Sequence, residues 1–136
     1  MKTLLFTIPL LLVVNLSAKD VVYDSTTSLL WQDASINKKA VVTYTEAKNY
    51  CKFLQIEEYN NFRLPTLSEL QTLINYKNYK PAILDGFNFV ESTTYWTTTP
   101  FADSDDEYWI IDFEKGARNA KSMYYDRHFR CVKKLN

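Results

Sequence analysis

Two periods run along the chain, one helical and one alternating, and together they lay out its elements. Leu67, Leu70, Leu73 and Ile74 fall on one helical face behind Pro65 and Thr66, a stripe that has to be buried against something. Glu69 stands three residues after Thr66, the capping-box arrangement in which each side chain satisfies a free donor of the first turn. A helix is therefore expected from Leu67 through Ile74. Thr43 and Glu46 repeat that signal ahead of Ala47, Tyr50, Cys51 and Leu54. This predicts an earlier helix of about three turns with Cys51 facing inward.

The remaining runs read as strands and loops. Val21 to Tyr23 and Leu29 to Trp31 are β-prone and flank the turn-forming Asp24 to Ser28, which predicts an amino-terminal hairpin. Asp33 to Lys39 is polar and reads as a loop, and Lys77 to Thr94, with Pro81 and Gly86 but no period, reads as a long packed one. Tyr95 to Thr99, Tyr108 to Phe113, Arg118 to Tyr125 and Phe129 to Val132 are expected strands, with a turn at Glu114 to Gly116. The order gives an α+β class: two helices packed on small antiparallel sheets, opened by a hairpin. Trp31, Trp96 and Trp109 are expected in the core. Alternation along a strand should send one member of Tyr95-Trp96 and of Tyr108-Trp109 inward and the other outward.

The amino terminus changes the picture. Lys2 precedes an apolar run from Leu4 to Val14 and then Ser17 and Ala18, the layout of a secretory signal. Residues 1–18 are expected to be removed and 19–136 to form one domain with no membrane span. That domain loses only Lys2 from a balanced chain of 16 basic and 16 acidic side chains. Near-neutral, interspersed charge gives no reason to expect nucleic acid, which calls for clustered cations. The location expected is the periplasm, the cell surface or the medium. An exported chain with two cysteines, Cys51 and Cys131, is expected to pair them in a disulfide, two free buried thiols being the alternative.

Further along, ordered blocks carry a resemblance: Leu29-Leu30-Trp31-Gln32, Glu46-Ala47 with Tyr50-Cys51, Phe62-Arg63-Leu64-Pro65-Thr66, Tyr95-Trp96-Thr97-Thr98-Thr99, Ile111-Asp112-Phe113 with Gly116, and Arg130-Cys131-Val132. The chain resembles the family of the carboxy-terminal domain of the Legionella collagen-like adhesin. That resemblance implies a C-type lectin-like fold, shared with formylglycine-generating-enzyme domains, and an adhesion function. Phe62 stands where the family pattern has Trp, and Ser28 where a Gly usually closes the first turn. The Glu-Pro-Asn, Gln-Pro-Asp and Trp-Asn-Asp triplets of calcium-dependent sugar binding are missing, as are the paired catalytic cysteines of the enzyme relatives.

Chemical candidates are few. Asp103, Asp105, Asp106 and Glu107 offer oxygen ligands without the spacing or glycine of an EF-hand loop, so a solvated loop is expected and calcium is the lesser alternative. No metal or cofactor is expected. His128 has Asp126, Arg127 and Arg130 around it, but a thiol nucleophile at Cys51 is at odds with the expected disulfide. There is no Gly-x-Ser-x-Gly elbow, and Gly86 and Gly116, the only glycines, make no phosphate cradle. Asp112 and Glu114 share one strand face, and Arg63 is expected to be a buried strut bonded to carbonyls or a carboxylate. The expected ligand face collects Arg118, Tyr124, Tyr125, Arg127 and His128, because exposed Tyr and Arg supply contact area at low entropic cost. The expected function is an exported, non-catalytic recognition domain for a glycan or an envelope protein. A structural subunit of an envelope complex is the alternative, and an undescribed enzyme is a third reading.

Overall fold

The computed structural model describes residues 20–136; the signal segment expected over residues 1–18 lies outside the described residues. Nine elements follow in order: β1 (Val21–Asp24), β2 (Leu29–Gln32), α1 (Ile36–Lys39), α2 (Tyr44–Phe53), α3 (Leu67–Gln71), β3 (Thr94–Pro100), β4 (Glu107–Asp112), β5 (Ala117–Ser122) and β6 (Val132–Lys134). They form two antiparallel three-stranded sheets, β1-β2-β6 and β3-β4-β5. The class is α+β.

Both predicted caps are present. Thr66 accepts from Glu69 N–H while the Glu69 carboxylate accepts from Thr66 N–H, completing the box that starts α3. At α2 Thr43 accepts from Glu46 N–H, but the Glu46 carboxylate takes the Thr43 hydroxyl rather than the backbone. The helix expected through Ile74 ends at Gln71 and gives way to tighter turns, in which the amides of Thr72, Leu73 and Ile74 each donate three residues back, before other partners take the backbone. Asn75 N–H donates to Ala82 C=O and Leu84 N–H to Leu73 C=O, which swings Leu73 fully into the core. The loop expected at Asp33 to Lys39 contains the short helix α1, built around the buried side chain of Asn37.

Two clusters of buried side chains make up the core, and β2, β3 and β4 lie between them. Leu30, Trp96 and Ile110 belong to the first, with Ala47 and Cys51 of α2. Leu29, Trp31, Tyr95 and Ile111 belong to the second, with Leu70 and Leu73. Adjacent residues of a strand point to opposite faces, and here both faces are covered. Tyr95 and Trp96 are thus both fully buried, where one had been expected outside. Trp109 departs the other way and is only half-buried, its ring held between Phe101 and the Arg118 guanidinium.

The cysteines are bonded. Cys51 of α2 and Cys131, one residue before β6, form a disulfide with Cα atoms 5.4 Å apart. At the β4–β5 turn Gly116 has φ +79°, and a Cβ there would lie 2.7 Å from Ile74 Cγ2. Left-handed backbone and missing space both exclude a side chain. Gly116→Ala is expected to cost about 2 kcal/mol, read as a fall in the urea midpoint at unchanged m-value.

Candidate functional site

A knot of buried polar side chains ties together the segments around residues 32–37, 88–95 and 129–131. Arg130, 1% exposed, donates through Nη1 to Gln32 C=O and to Asp33 Oδ1, the latter at 3.1 Å, and through Nη2 to Phe89 C=O. Asp33 also accepts from the backbone N–H groups of Asn88 and Phe89 at 2.9 and 3.0 Å. Asn37 donates to Gln32 Oε1 and Phe129 C=O, and its own carbonyl accepts from the Tyr95 hydroxyl at 2.6 Å. Burial lowers the Arg130 pKa while Tyr95 and Asp33 raise it, and burial raises that of Tyr95. The knot supports the fold rather than forming a surface, since its members are enclosed.

Elsewhere on the surface a cleft of about 600 Å³ lies between α2 and the β3–β4 side of the second sheet. Its floor is aromatic: Tyr44 stacks on Tyr108 with ring centroids 3.7 Å apart, beside Phe62 and Met123. The Met123 carbonyl accepts from Tyr44 N–H at 3.2 Å, which fixes the start of α2 against the end of β5. Tyr44 OH lies 3.4 Å from Thr98 Oγ1. Burial, followed by Tyr44, raises the Tyr108 hydroxyl, with the Lys48 charge opposing.

Along the rim stand Lys48, Lys52 and Arg63. Arg63 is engaged, its fork donating to both Glu69 oxygens at 2.6 and 2.8 Å and also to Leu64 C=O. The Glu69 hydrogen bond raises Arg63; burial pushes Glu69 up, but Arg63 and the Thr66 N–H outweigh it and leave its pKa lowered. Arg63 bonds a carbonyl and a carboxylate as expected of a strut, but it is not buried: its side chain is 45% exposed. The buried strut is Arg130. Lys48 and Lys52, by contrast, have no carboxylate within ion-pair distance among the described residues. Being four apart they share one helix face, an arrangement that costs an isolated helix roughly 0.2–0.5 kcal/mol.

Of the expected ligand face, three residues are exposed and two are not. Tyr124 and Tyr125 are exposed, as is Arg118 on β5. Arg127 is half-buried across Trp96, with Nη1 on Thr94 Oγ1 at 3.0 Å. His128, expected on an outward strand edge, is buried: its N–H donates to Thr94 C=O and its C=O accepts from Trp96 N–H, turning the ring in against Tyr95. None of these five lines the cleft. In the acidic loop the Ser104 hydroxyl donates to Asp106, and among the described residues no group of three or more His, Cys, Asp or Glu is arranged to hold a metal ion.

The burial of His128 has a measurable result. Its pKa lies below the ordinary 6.5 because burial penalises the charged form, with Glu91 opposing. Below 6.5 the unfolded chain then takes up the proton more readily than the native one, so stability is full above that pH and falls as pH drops through the window beneath it. Urea midpoints measured on either side of 6.5 should drop for the wild type and drop less for His128→Gln.

Sequence pattern missed the cleft because its residues come from five separate segments. The one local hint was Lys48 and Lys52 at helical spacing beside Tyr44. Fold and cleft define the class: a small, cystine-linked α+β domain with an open cationic and aromatic cleft beside α2. The chain belongs to the Lcl C-terminal domain family, whose model matches residues 20–133. No match to the chain is found among curated proteins.

Proposed function

We propose that the protein is an exported, non-catalytic recognition domain of the adhesin type, built on a C-type lectin-like scaffold, and that its ligand sits in the α2 cleft. The observation that carries this reading is the pair of unneutralised lysines, Lys48 and Lys52, beside a cleft floored by the Tyr44–Tyr108 stack. Free cations beside stacked rings suit an anionic ligand with an apolar or flat face, and they do so without any nucleophile or paired acid and base. Export is supported by the apolar leader of the sequence and by the disulfide, which persists in oxidising compartments. No helix among the described residues is long and apolar enough to cross a membrane.

Residues 19–136 should be screened at micromolar concentration against a glycan array and immobilised envelope proteins, beside the Lys48→Glu/Lys52→Glu variant. The expected result is at least one ligand whose binding weakens about tenfold or more in the variant, as reversal of rim charges requires. Absence of any ligand, or binding indifferent to the two lysines, contradicts the proposal.

A further inference from the structure

The backbone along the cleft narrows the kind of ligand. Residues 62 to 64 run extended beside β6, where Arg63 N–H donates to Val132 C=O at 2.9 Å and Val132 N–H returns to Arg63 C=O at 2.8 Å. In an extended chain neighbouring residues present their polar groups to opposite sides. The N–H of Leu64 and the C=O of Phe62 therefore point away from β6, and no hydrogen bond engages either group among the described residues. Both residues line the cleft and are nearly buried, at 2% and 3% exposure. Buried backbone donors are almost always paired, and one left without a partner is costly.

We propose that the cleft binds an extended acidic peptide segment of another protein, an inference that rests on the reading of the cleft as the ligand site. Pairing such a segment with the Leu64 N–H and Phe62 C=O is strand addition, in which the main chain supplies affinity and alternate side chains supply specificity. One side chain of the peptide rests on the Tyr44–Tyr108 stack, where Met123 adapts to its shape. Acidic side chains flanking it reach Lys48 and Lys52, which have no carboxylate within ion-pair distance among the described residues. An oligosaccharide would satisfy the lysines and the rings but has no main-chain ladder to offer the segment at Phe62 to Leu64.

The test uses the disulfide-bonded domain of residues 19–136 and a pool of fluorescein-labelled octapeptides with a central Phe flanked by Glu, followed by fluorescence anisotropy. A sulfated tetrasaccharide is run in parallel. Saturable peptide binding is expected, weakened about tenfold or more by Lys48→Glu/Lys52→Glu and by N-methylation of the peptide backbone next to the Phe, and unchanged by Tyr124→Ser. Peptide binding that ignores N-methylation overturns the proposal. Lysine-dependent binding of the tetrasaccharide with none of the peptide also overturns it and leaves the cleft as the ligand site. Binding of neither probe, or binding that ignores the lysines, overturns both. Unfolding midpoints of each variant confirm that the fold is retained.

Discussion

Replacing Cys51 and Cys131 together by alanine is expected to lower the free energy of unfolding by about 4 kcal/mol. The bridge joins positions 80 apart in sequence, and closing a loop of that length removes denatured-state entropy worth roughly 4 to 5 kcal/mol in the chain-entropy model, an upper figure. Both cysteines are fully buried in the first core cluster, so the substitution also removes packed volume between α2 and the last strand. Urea unfolding of the double variant against the wild type measures the loss, and reductant added to the wild type should reproduce most of it. A loss under about 1 kcal/mol would mean that packing alone holds α2 to β6.

Arg130→Met is expected to be nearly as damaging, at about 3 to 5 kcal/mol, because it leaves Asp33 as an uncompensated charge in the interior. Asp33 would retain only the N–H groups of Asn88 and Phe89, while the carbonyls of Gln32 and Phe89 would lose their donor. The same physics predicts partial rescue. Removing the stranded charge with Asp33→Asn in the Arg130→Met background should restore at least about 1 kcal/mol, so the double-mutant cycle should show strong coupling. Additive losses would show that Arg130 acts through packing on Phe87 and Tyr95 rather than through the ion pair.

The parts of the fold that could be read from sequence are those fixed by local chemistry. Thr66 with Glu69 and Thr43 with Glu46 announced two helix starts, and the turn-forming Asp24 to Ser28 announced the hairpin. Ser28 sits at φ +58° there, in the left-handed region that favours Gly. What could not be read depended on distant partners. Nothing near Ile74 foretells that Ala82 will take the Asn75 N–H, and Asn37 nucleates α1 only because Phe129, Gln32 and Tyr95 surround it. Trp109 was expected inside and His128 outside because alternation alone does not say which faces are covered. The cleft is the extreme case, since α2, residues 62 to 64, β3–β4 and Met123 meet only in three dimensions.

Backbone amide shift mapping of ¹⁵N-labelled residues 19–136, titrated with whichever ligand the screens return, tests the central claim most directly. Perturbations centred on Lys48, Lys52, Leu64 and Tyr108 are the predicted result. A footprint centred instead on Arg118, Tyr124, Tyr125 and Arg127, with the cleft silent, would contradict it.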